Sequence, residues 1–323
     1  MNRLSGFVKQ LGRVPIVPLI GFPGTRLTGI SIKKALFDPQ AQISALLALS
    51  ETVRPDALFT MMDLTVEAEF LGCGLKISED DPPAVATCVL KDQNTPASLF
   101  ENTTTGGRMP LFAEVVAGLK KSLDIPVGAY VIGPMTLVGE LMDIASVMKA
   151  TRKNPDLLHQ LLSGATQVIM NYVSLLEKAG ADIICILEPS AMMISPEQFQ
   201  EFSGRYCSQI FSKGISVMSI LHICGDTNHL IAEMERTGPD GLSLDKQVDF
   251  PKAYGTLRND TVLIGNIDPV SVLTFDDADT VKRKSQELLQ AMKGKKNFIL
   301  STGCDVPPDA PIENIQQMMA ADS

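Results

Sequence analysis

The sequence predicts an α/β fold, a (β/α)8 TIM barrel, and three observations predict it. Apolar β-like runs alternate with amphipathic helical stretches through most of the chain. The runs are apolar throughout, as strands covered on both faces are. Side chains with chemistry stand just past the ends of those runs, where barrels collect their functional groups. The 323 residues are long for one domain but ordinary for a barrel. Residues 1–323 are therefore read as a single barrel domain with an N-terminal extension and an insertion after the second strand.

Pro15 to Ile20 is the first expected strand, and Ala57 to Met62 the second, with a helical stretch around Pro39 to Thr52 between them. The following segment, from about Gly72 to Arg108, is polar and rich in Pro and Thr. It is too long for a simple βα loop and is read as an insertion over the barrel mouth. Further strands are expected at Val127 to Ile132, Asp182 to Leu187, Val217 to Leu221, Gly241 to Leu244, Val262 to Gly265 and Phe298 to Leu300, which brings the count to eight. Helices fit between them. One runs from Pro155 to Lys178, with Asn154 as N-cap, Pro155 at N1 and Gly180 just beyond its end; another runs from Pro196 to Lys213, opened by Ser195 and followed by Gly214.

The formal net charge of −9 argues against a nucleic-acid partner, because a basic footprint is missing. The short basic runs Lys282-Arg283-Lys284 and Lys293 to Lys296 read as solvated helix ends. No apolar run approaches the roughly 18 residues of a membrane span. The first ten residues carry charge where a secretory segment would be apolar, so a soluble, cytoplasmic protein without a membrane partner is expected. Six cysteines scattered along such a chain read as free thiols and ligands, not as a disulfide framework.

The most informative stretch is Ser219-Ile220-Leu221-His222-Ile223-Cys224-Gly225-Asp226. Residues i and i+2 of a strand share a face, so His222 and Cys224 can meet one metal ion. Cys304, in Ser301-Thr302-Gly303-Cys304-Asp305, ends another β-like run in the same way. One imidazole and two thiolates suggest a zinc site with one position left open, at which an arriving thiol is held as a nucleophilic thiolate. Taken singly, His222 also reads as a hydrogen-bonded core histidine and Cys304 as a small buried residue. The distance between Cys224 and Cys304 in sequence excludes a compact zinc finger.

Other strand ends add candidates. Glu188, in Leu187-Glu188-Pro189-Ser190-Ala191, is a candidate catalytic carboxylate and an exchangeable fourth metal ligand, or else a cap for the following loop. Asp63, in Met61-Met62-Asp63-Leu64-Thr65, is a candidate to orient a ligand or accept a proton, or else structural. Asp245 and Asp268 end two more runs. Arg26, in the glycine-rich stretch Gly21 to Gly29, is a candidate to bind an anionic part of the substrate; the order of residues there is not that of a P-loop.

These residues together resemble the uroporphyrinogen decarboxylase superfamily, and within it the zinc-dependent methylcobamide:coenzyme M methyltransferases. The resemblance covers nearly the whole chain. It is carried by Gly21 to Gly29, Met62 to Ala68, Gly133-Pro134, Glu188 to Ala191, His222 to Gly225, Gly265-Asn266-Ile267-Asp268-Pro269 and Thr302 to Asp305. It implies that His222, Cys224 and Cys304 hold Zn2+, that the metal takes up a small-molecule thiol such as coenzyme M, and that a corrinoid protein docking over the mouth supplies the methyl group from its methylcobamide. The decarboxylase branch has no metal and relies on arginines of an N-terminal loop and a barrel aspartate. Here that loop offers the single Arg26, which leaves the carboxylates of uroporphyrinogen short of partners. A cofactor-free decarboxylase centred on Asp63 is the alternative, and a non-catalytic corrinoid-handling scaffold a third reading.

Overall fold

The computed structural model describes residues 2–90, 99–101 and 104–322. Its strands are β1 (Leu58–Phe59), β2 (Gly74–Lys76), β3 (Ala84–Thr87), β4 (Val127–Ile132), β5 (Ile183–Leu187), β6 (Met218–Ile223), β7 (Gly241–Leu244), β8 (Val262–Ile267) and β9 (Phe298–Thr302). β1 and β4 to β9 form one seven-stranded sheet in chain order, and all its pairings are parallel. Helices fill the connections, as parallel pairing demands.

The first expected strand, Pro15 to Ile20, is reduced to a single parallel bridge between Ile16 and Leu300. Pro15 and Pro18 lack the N–H groups a ladder needs. The segment still closes the sheet into a barrel. Leu300 N donates to Pro15 O at 3.0 Å and Val17 N donates to Leu300 O at 2.9 Å on one side, while Asp56 N donates to Ile16 O at 3.1 Å on the other. The Asp56 carboxylate also accepts from Ile16 N at 2.7 Å and pairs with Arg13. β1 is shorter than expected because Met61 N donates to the Gln42 side chain at 3.1 Å instead of to a strand.

Alternation along the strands sorts the core into two layers. Ile183, Cys185 and Leu187 of β5 point into the barrel beside Val17, Leu19, Phe59, Tyr130, Ile220, Ile264 and Ile299. Ile184 and Ile186 point outward to the helices. On β6 the same alternation puts Ile220 inside and Leu221 and Ile223 outside, so His222 faces the interior. The N-terminal extension is the helix Arg3–Leu11, whose Leu4 and Val8 join the inner layer and stopper the end where strands begin.

The helix Pro155–Lys178 forms with Asn154 accepting from Leu157 N, as expected. It buries Leu158, Leu161, Leu162, Ala165, Val168, Ile169, Tyr172, Val173 and Leu176, a stripe of helical period in which each large apolar side chain contributes about 1.5–3 kcal/mol. The stretch from Pro196 starts with a Ser195 capping box and remains helical, but contains two π segments, Gln200–Gly204 and Ile210–Gly214.

Part of the expected insertion is the antiparallel hairpin of β2 and β3; its residues 91–98 and 102–103 lie outside the described residues. Among the described residues, no helix is long and apolar enough to cross a membrane.

Candidate metal centre

His222 lies at the end of β6, Cys224 two residues further on, and Cys304 just past the end of β9. Parallel strands deliver their C-terminal ends to one face, and there the three ligand atoms come within 4.8 Å of one another. His222 is 2% exposed, and both cysteines are half-buried free thiols.

The two imidazole nitrogens differ. Nδ1 is 3.0 Å from Ser243 Oγ, and β6 and β7 pair so that Ser243 stands opposite His222. Nε2 is buried without a hydrogen-bond partner among the described residues. Leaving such an atom unsatisfied costs about 1–3 kcal/mol, and an imidazole nitrogen with two sulfurs is the donor set of a zinc site. The residues present fit the metal. Hydrogen bonding from Cys304, aided by His222, pulls the Cys224 thiol down to about 5 despite its burial. Cys304 is pushed up by Cys224 and by burial.

Asp245, past the end of β7, braces the turn that carries Cys224. Its carboxylate accepts from Gly225 N at 2.8 Å and from Lys246 N at 2.7 Å. Gly225 has a φ of +87°, a conformation that favours glycine. A Cβ at Gly303 would lie 2.6 Å from Asp245 Oδ1 and 2.9 Å from Lys246 N, so glycine at this position lets the turn before Cys304 pass close to Asp245.

The other expected site residues stand outside the cluster. Glu188 is fully buried and its carboxylate is already committed: it accepts from Met135 N at 2.9 Å, Thr136 N at 2.9 Å and Ser203 Oγ at 2.8 Å. The expectation of an exchangeable metal ligand is corrected accordingly. Glu188 caps the first turn of the helix Pro134–Met142, whose own N-cap is Gly133 and has no side chain to offer. Nor does its side chain cap the turn begun by Pro189. Burial pushes its carboxyl up, against the pull of these donors.

Asp63 is likewise spoken for. Oδ1 accepts from Thr65 N at 2.8 Å and Thr65 Oγ1 at 2.7 Å, and Oδ2 pairs with Arg108, itself buried. Arg108 also binds Glu69 at 2.5 Å and lies 4.5 Å over the Phe37 ring. Neighbouring Glu67 is fully buried, which pushes its carboxyl up to about 8, while a bond from Ile132 N pulls the other way. Arg108, Glu67, Ser243 and the bracing by Asp245 were missed as functional elements; the one sequence signal for Arg108 was a lone cation at the edge of the expected insertion. Arg26 is on the short helix Pro23–Thr28, donates to Asp309 O at 2.7 Å and lines a cleft of about 430 Å³ with Ser31, Asp80 and Pro308.

Comparison with known proteins agrees with this architecture. The methylcobamide:CoM methyltransferase MtaA of Methanosarcina barkeri is 27% identical over 299 residues, 91% of this chain and 87% of that one. The methylcobamide:CoM methyltransferase MtbA of Methanosarcina mazei is 30% identical over 271 residues, 82% of this chain and 78% of that one. A solved methyltransferase structure from Methanosarcina mazei superposes with a TM-score of 0.88 at 27% identity, covering 99% of this chain and 96% of that one. The family model described as uroporphyrinogen decarboxylase (URO-D) matches residues 8–322, and the chain belongs to that family.

Proposed function

We propose that this protein is a zinc-dependent methyltransferase that moves a methyl group from a methylated corrinoid, carried by a partner protein, to a small thiol such as coenzyme M. The observation that carries the reading is the His222, Cys224 and Cys304 cluster with its unpartnered Nε2. The activity for which the MtaA and MtbA relatives are named supports it.

His222, Cys224 and Cys304 would hold the metal, leaving a position for the acceptor. Bound there, zinc supplies the positive charge that lets an incoming thiol lose its proton near neutral pH. With Nε2 given to the metal, Nδ1 would carry the proton and donate it to Ser243 Oγ, which holds the ring in that orientation. Asp245 holds the Cys224 turn through Gly225 N, and the Cys304 turn passes close beside it at Gly303. The carboxylate on which a metal-free decarboxylase would depend, Asp63, is tied to Arg108 and Thr65.

Metal analysis of the purified protein, followed by methylcobalamin demethylation with a panel of thiols, tests the reading. About one zinc per chain, lost in Cys304→Ser, together with thiol-dependent demethylation is expected. A metal-free protein that demethylates nothing and decarboxylates a tetrapyrrole would replace it with the decarboxylase reading.

A further inference from the structure

A second pair of cysteines is set up by the hairpin, away from the metal cluster. Gly74, the first residue of β2, pairs with Thr87, the last of β3, beside a register shift between Gly74 and Leu75, and the residue just beyond each strand is a cysteine, Cys73 before β2 and Cys88 after β3. Continuing the Gly74–Thr87 pairing by one step sets the two cysteines opposite each other, where residues of a ladder share a face with Cβ atoms about 4.5–5.5 Å apart. That is close to the spacing a disulfide bridges.

The surroundings of the two thiols differ. Cys73 is buried and Cys88 half-buried. The Cys73 thiol donates to Glu140 O at 3.5 Å and is pushed up by burial, with a smaller contribution from charge on Cys88. Gly72, at a φ of +99°, and Gly74 flank Cys73, so the backbone can adjust as the sulfurs approach. The base of the hairpin is seated on the helix Pro134–Met142, where Leu90 N donates to Leu141 O at 2.8 Å. Its turn reaches the opposite side, where Glu79 pairs with Lys33 at 2.7 Å and Asp80 lines the Arg26 cleft.

We propose that Cys73 and Cys88 are a redox modification site, forming a reversible disulfide that locks the base of the hairpin, with a low-molecular-weight disulfide as oxidant. The Cys88 thiolate, the more exposed of the two, attacks one sulfur of the small disulfide and expels a thiolate. The Cys73 thiolate then attacks the Cys88 sulfur of the mixed disulfide and expels the second. The two protein thiols are oxidised by two electrons, the small disulfide is reduced to two thiols, and the two protons follow the departing sulfurs. The inference rests on the hairpin and is independent of the methyl-transfer reading.

Equilibrating the metal-loaded full chain in a series of oxidised and reduced glutathione ratios, alkylating free thiols and mapping peptides by mass spectrometry tests it. The expected result is a peptide linking Cys73 to Cys88, growing with the oxidised fraction and reversed by dithiothreitol. Cys73→Ser, checked for folding by circular dichroism, should stop at Cys88 carrying one glutathione. Alkylation of both cysteines across the whole series, glutathione on Cys88 with Cys73 still free in the native sequence, or linkage only between Cys224 and Cys304 would each overturn the proposal.

Discussion

Ser243 stands directly across the ladder from His222, its hydroxyl 3.0 Å from Nδ1. The opposite nitrogen, Nε2, is buried with no hydrogen-bond partner among the described residues, which leaves it free to join Cys224 and Cys304 in the cluster. One serine thereby occupies Nδ1 and leaves Nε2 as the nitrogen a metal can use. Ser243→Ala should weaken zinc binding roughly 10- to 100-fold, the usual cost of losing such a partner. Competition against a chromophoric chelator measures this, and unaltered affinity would remove Ser243 from the site.

Glu188→Gln separates a cap from a ligand. Both carboxylate oxygens receive hydrogen bonds, from Met135 N, Thr136 N and Ser203 Oγ, and the amide nitrogen of glutamine cannot accept. The variant should lose roughly 1–3 kcal/mol of stability and keep its zinc. Denaturant melts alongside metal analysis check both halves, and zinc loss at unchanged stability would restore the ligand assignment.

Arg108→Met should be among the more damaging single changes. It strips the counter-charge from Asp63, whose side chain is wholly buried, and one partner from Glu69. Breaking a buried pair from one side costs roughly 3–5 kcal/mol. Adding Asp63→Asn to that variant removes the stranded charge, so urea unfolding should show part of the loss recovered.

Glu67 predicts a pH dependence. Burial pushes its carboxyl from 4.5 up to about 8, so the folded chain keeps a proton that the unfolded chain has released between those values. Stability therefore falls as pH rises through the window from about 4.5 to 8, by an amount on the order of a few kcal/mol. Glu67→Gln carries no charge at any pH and should flatten that part of the profile. Parallel slopes for the two proteins in melts from pH 5 to 8 would assign the dependence to other groups.

The sequence by itself determined what local rules govern. β4 and β7 match the apolar runs residue for residue, and the helix from Pro155 to Lys178 lies between its Asn154 cap and Gly180 as expected, because caps and runs act over a few residues. The two-residue periodicity of a strand placed His222 and Cys224 on one face before any neighbour was known. The tertiary structure decided everything that depends on which loop lies beside which. Two prolines left the first strand a single bridge, which only the barrel's need for closure made useful. Glu188 looked like a strand-end ligand, but its neighbour in space is the N-terminus of a helix some fifty residues earlier, where unpaired N–H groups outcompete a metal for a carboxylate. Asp63 met Arg108 in the same way, across a segment whose path the sequence does not specify. Ser243 became a partner of His222 through strand register, which depends on how whole strands pack and cannot be read from either strand alone.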